Sequence, residues 1–79
     1  MRLNELKLGG SAIIDHVEDH TAGDPVAERL RALGFVPGEP IRIVAVGPIG
    51  ADPIAVGIGF TRFALRRAEA ARVLLRDAA

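Results

Sequence analysis

Glycine and proline punctuate this sequence at short intervals from Gly9 to Gly59, with nine glycines and five prolines in 79 residues. The apolar segments between these marks are too brief for long helices. Several are rich in β-branched residues, which suit a pleated surface. Ser11 to Val17 reads as a strand, although the adjacent Ile13 and Ile14 break strict alternation and call for a bulge or burial on both faces. Ile41 to Val46 reads as a strong strand, and Gly47-Pro48-Ile49-Gly50 as a loop after it. Asp52-Pro53 opens the next strand, Ile54 to Ile58, whose Ile54, Val56 and Ile58 alternate with Ala55 and Gly57. Small residues on that second face point to close approach of another strand or a tight bend. Phe63 to Leu65 and Val73 to Leu75 read as two further short strands, separated by a helical turn over Arg67 to Ala71.

One helix interrupts the series. Asp24 supplies an N-cap oxygen, and Pro25 at the first helical position loses no needed donor. Val26, Ala27, Leu30 and Leu33 then form one apolar stripe at helical spacing, so Val26, Leu30 and Leu33 are expected in the core. Gly34 ends the helix by taking the left-handed conformation a C-terminal cap requires. A helix of about nine residues is too short to persist without packing on a sheet. Short strands in a small chain solve the problem of exposed edges by closing. The fold class expected is therefore mainly β: a small SH3-like barrel of about five short strands with one inserted helix, as a single domain over residues 1–79.

Composition narrows the function. A chain of this size draws roughly 3 to 5 kcal/mol from its core, and with no cysteine it has no disulfide, thiolate metal site or cysteine nucleophile. The N-terminus MRLNELKLGG has no continuous apolar run, and nothing approaches a membrane-spanning length. A cytoplasmic protein is expected. Ten basic and ten acidic residues cancel, and only three aromatics occur, all phenylalanine. That is a poor basis for nucleic-acid binding, which needs phosphate neutralisation and stacking platforms. Catalysis is hard to assemble from Ser11, Thr21, Thr61, His16 and His20. Gly47-Pro48-Ile49-Gly50 also lacks the Lys-Ser/Thr that follows a phosphate loop.

The order of motifs carries more. Leu3-x-x-Leu6-Lys7-x-Gly9 precedes the first strand, and Arg29-Leu30-x-x-Leu33-Gly34-Phe35 closes the helix ahead of Pro37-Gly38. Gly47-Pro48, Asp52-Pro53-Ile54 and Phe63-Ala64-Leu65-Arg66 with Glu69-Ala70 follow in turn. In this order the chain resembles the FeoA family, ferrous iron transport protein A, over nearly its whole length. The resemblance implies an SH3-like barrel that acts beside FeoB, the membrane permease for ferrous iron with a cytoplasmic GTPase domain. The same domain is fused to iron- and manganese-dependent repressors, but these 79 residues hold no helix-turn-helix segment. The expected function is thus an adaptor that binds the permease and modulates iron uptake, with no required cofactor and with self-association left open. A metal-binding small barrel is the alternative, and a nucleic-acid-binding barrel the weaker one.

Two residue sets follow as candidate sites. His16, Glu18, His20 and Asp24 lie close in sequence and combine imidazoles with carboxylates, a set suited to weak binding of zinc or ferrous ion. His16, Glu18 and His20 would share a face if the first strand extends that far. A solvated loop is the plainer alternative. For a protein partner the candidates are Val36, Ile49 and Phe60, apolar residues in or beside loops, with Arg29 and Arg66 in the family-like motifs. Those arginines suit partner carboxylates, and an ion pair inside the domain suits them equally.

Overall fold

The computed structural model describes residues 1–76. Five strands form one antiparallel sheet in the order β4-β3-β2-β1-β5. They are β1 (Ser11–Val17), β2 (Pro40–Ile49), β3 (Asp52–Ile58), β4 (Thr61–Leu65) and β5 (Val73–Leu75). One helix, α1 (Pro25–Ala32), joins β1 to β2, and a single helical turn, α2 (Arg67–Ala70), joins β4 to β5. A 3-10 turn, Leu3–Glu5, precedes β1, and the segment before it lies along β5: Arg2 bridges Leu74, and Leu75 N–H donates to Met1 O at 2.8 Å.

The adjacent isoleucines are resolved by a change of partner. β1 pairs with β2 over Ser11 to Ile13 and with β5 from Ile14 onward, with a register shift between Ile14 and His16. Ile14 is buried while Ile13 is half-buried.

The segment Gly47-Pro48-Ile49-Gly50 is not the loop its composition suggests. β2 runs on to Ile49, and the reversal is confined to Gly50-Ala51 between the paired Ile49 and Asp52. Both turn residues have positive φ, 64° and 53°, as the tightest two-residue hairpin requires. Pro48 is accommodated because the ladder slips between Val46 and Ile49 and asks nothing of its missing donor. β4 likewise begins two residues before the expected Phe63, at Thr61.

Asp24 caps α1 as expected, accepting from Val26 and Ala27 N–H at 3.0 and 3.4 Å. The apolar stripe needs correction. Ala27 and Leu30 are fully buried and Val26 half-buried, but Leu33 is 41% exposed. The reason lies in the C-cap. Gly34 takes φ 109°, its N–H donates to Arg31 O, and Phe35 N–H reaches back to Leu30 O. This paired closure swings the chain so that the residue after the glycine, not the one before it, meets the helix's last buried turn. Phe35 is accordingly fully buried, with its ring 5.5 Å from that of Phe63.

The core joins Leu3, Leu30, Phe35 and Ala70 to the inward residues of every strand, among them Ile14, Ile41, Ile43, Ile54, Val56, Leu65 and Val73. Helix, turn and N-terminal segment thus cover one face of the sheet. The other face of β2-β3-β4 is left to solvent.

Candidate functional site

The stretch after β1 does not continue the strand. β1 ends at Val17, so His16 lies on the strand while Glu18 and His20 lie beyond it. Glu18 is bonded to Arg2 at 2.8 Å, and His20 Nε2 stands 3.4 Å from the same carboxylate oxygen. His16 Nδ1 sits 2.5 Å from Asp15 Oδ2. The bond from Arg2 holds the Glu18 carboxyl below the usual carboxylate range.

Asp24, grouped with these residues by sequence proximity, has a different setting. It is 1% exposed and accepts from Arg72 Nε at 2.6 Å and His20 N–H at 2.9 Å, besides the two cap bonds. Arg72, then the His20 amide, pull its carboxyl well below the ordinary aspartate value. With both oxygens engaged, it has no lone pair directed at an outside cation. Among the described residues, no three His, Asp or Glu side chains gather in a metal-holding arrangement.

The residues expected to meet a partner are not brought together. Ile49 ends β2 beside the β2–β3 turn, and Phe60 occupies the β3–β4 turn, so they lie at opposite ends of β3. Both project into solvent, Phe60 without any measurable cover and Ile49 at 83% exposure. Val36 is exposed beyond α1. Arg29 and Arg66 converge instead on one acid. Glu69 accepts from Arg29 at 2.5 Å with one oxygen and from Arg66 N–H at 2.8 Å with the other. Arg29 is thereby committed to an ion pair inside the domain, whereas the Arg66 side chain remains exposed.

Two arginines that sequence reasoning passed over hold the frame. Arg72 anchors Asp24, tying α1 to the approach to β5. Arg67 donates to Ala51 O and to Asn4 O, and its N–H to Asp52 Oδ1, so it fastens the N-terminal turn to the β2–β3 turn. The basic run at Arg66-Arg67 was the available signal, but which carbonyls it would reach depends on tertiary placement. A depression of about 340 Å³ lies beside Arg67, lined by Asn4, Leu6, Leu8, Val46 and Ala51.

No helix among the described residues is long and apolar enough to cross a membrane. Comparison with curated proteins gives no match. Solved structures do match. The chain is 54% identical to Stenotrophomonas maltophilia FeoA complexed with zinc, over 96% of this chain and 89% of that one, with a TM-score of 0.90. That protein is described as a prokaryotic SH3 domain protein and a candidate ferrous iron transport activating factor. Iron(II) transport protein A from Clostridium thermocellum is 40% identical over 95% of this chain and 44% of that one, TM-score 0.81. FeoA from Chlorobium tepidum is 34% identical over all of this chain and 71% of that one, also at 0.81. The SH3-like architecture expected from the short strands is the one described for the S. maltophilia relative, whose fold this chain shares. The FeoA domain model matches residues 1–77, and the chain belongs to the FeoA family.

Proposed function

We propose that this chain is a cytoplasmic adaptor that binds the FeoB ferrous-iron permease and modulates ferrous iron uptake, without catalysis of its own. The observation that carries the reading is the 54% identity to an FeoA described as a candidate activating factor for ferrous iron transport. The distribution of side chains supports it. Most of the strong polar contacts, at Asp24, Glu69, Arg67 and Arg72, serve to join elements of the domain to one another. What faces outward at the turns is apolar, Ile49 and Phe60. Exposed aromatic and aliphatic anchors are what a protein partner uses.

The test is ferrous iron uptake in cells lacking this chain. Restoring the wild-type chain is expected to restore uptake, and Phe60→Glu or Ile49→Glu, both on solvated turns, to lower it with folding intact. Uptake indifferent to loss of the chain overturns the reading.

A second reading, weak binding of zinc or ferrous ion, is favoured by the 3.4 Å approach of His20 to Glu18 and by the zinc in the S. maltophilia relative. His16→Ala with His20→Ala should then weaken zinc binding in solution. Unchanged affinity removes the idea.

A further inference from the structure

The outer face of β2-β3-β4 carries two successive rows of unusual composition. Strand register sets Arg42 opposite Gly57 and Gly57 opposite Arg62, giving one row across the three strands. The next row is Ala45, Ala55 and Ala64, again directly paired. Arg42 and Arg62 start about 10 Å apart, two strand spacings. The glycine between them lets the Arg42 side chain lie in that gap. A Cβ on Gly57 would lie 2.7 Å from the Arg42 guanidinium carbon, so the Arg42 side chain lies across Gly57 toward β4. Only a residue without a side chain permits this.

Among the described residues the two guanidinium groups there have no carboxylate partner. Elsewhere Arg2, Arg29, Arg31 and Arg72 each pair with an acid. Arg42 donates one bond, to Gly59 O at 3.2 Å, and among the described residues neither Arg42 nor Arg62 has an acidic partner. A guanidinium has five donors in a fork that fits a carboxylate, so most of this capacity faces solvent. Beside the arginines the alanine row floors a shallow depression of about 200 Å³, walled by Val46, Gly47 and Pro53. Small side chains on a solvated sheet face leave room for a neighbouring side chain to sit against the backbone.

From these two features together we infer that this face is the docking surface for an acidic segment of a protein partner. A carboxylate of that segment sits between Arg42 and Arg62, and an apolar side chain about 7 Å further along, two residues of strand, fills the alanine trough. Phe60, on the turn beside the arginine row, adds an aromatic edge. Arginine and aromatic anchors around a small apolar hollow are the composition of interface hot spots.

The inference rests on the permease reading, and its test separates the two. The isotopically labelled full chain is titrated with the soluble cytoplasmic portion of the cognate permease, and backbone amide shifts are followed. Shifts centred on Arg42, Ala55, Gly57, Arg62 and Ala64 are expected. Arg62→Glu should weaken the complex at least tenfold, and Lys7→Glu, an equal change of charge off this face, by less than twofold. Ala64→Leu, which fills the trough at an exposed position, should weaken binding with an unchanged Tm. Shifts confined to another face, or Lys7→Glu weakening the complex as much as Arg62→Glu, overturn the surface and leave the permease reading standing. No complex at all overturns both.

Discussion

Asp24 shows how one side chain can close several separate accounts. The helix needs its first amides capped, the loop after β1 needs an acceptor for His20 N–H, and Arg72 needs a counter-charge in a half-buried setting. One buried carboxylate meets all three. Its pKa is lowered chiefly by Arg72, and those of Glu18 and Glu69 are shifted the same way, by Arg2 and by the Arg66 amide respectively. In the unfolded chain such carboxyls titrate at about 4. The folded state therefore binds fewer protons than the unfolded state in acid, and stability must fall as pH drops below about 4. Above that range these groups contribute a constant amount. A Tm series from pH 7 down to pH 2 should be level at first and then fall, and Asp24→Asn should lower Tm at neutral pH and flatten the fall. A Tm that climbs on acidification contradicts the assignment. Asp24-Pro25 was legible as a cap from residue types alone, because an N-cap is a local device. Its pairing with Arg72 was not, since that partner lies 48 positions away along the chain.

Elements were legible where local rules decide them and illegible where packing or register does. Apolar alternation over Ile54 to Ile58 and the break at Gly34 located β3 and the end of α1. Leu33 was misplaced in the core because helical periodicity stops at the cap, and the geometry of the cap decides what comes next. Leu30→Ala should destabilise the fold by about 2 to 5 kcal/mol, the cost of a cavity at a fully buried leucine. Leu33→Ala, three residues on and exposed, should change stability by no more than about 0.5 kcal/mol. Equal effects in chemical denaturation would show that the helix packs otherwise. The β2–β3 turn makes the opposite kind of prediction. Ala51 holds φ 53°, a conformation that costs a residue with a Cβ about 1 to 2 kcal/mol. Ala51→Gly removes that strain and gives back part of it as unfolded-chain entropy, so a net gain of about 0.5 to 1 kcal/mol is expected. A loss of stability would mean that the alanine methyl is packed. No Asn-Gly or Asp-Gly pair marked the turn, which is why Gly47 to Gly50 read as a loop.

At the scale of the whole molecule, the fold puts its polar economy inside and leaves contact chemistry outside. Arginines fasten the N-terminal segment, the helix and the hairpin turn to one another around a small core, and the turns and outer sheet face carry exposed Phe60, Ile49, Arg42 and Arg62. Architecture was readable early, since short strands between glycine turns in 79 residues leave few ways to bury an apolar face. The surface was not. Arg42 lies 15 and 20 positions before Gly57 and Arg62, and only the register of three strands makes the three neighbours. Ile49 and Phe60, alike as loop residues, are parted by the full length of β3. The proposal that this domain engages the permease is tested most directly by calorimetric titration of the purified chain into the permease's soluble cytoplasmic portion, with and without guanine nucleotide. Saturable binding whose affinity changes with nucleotide is the predicted result. No heat of binding in any nucleotide state, with both proteins folded, would contradict it.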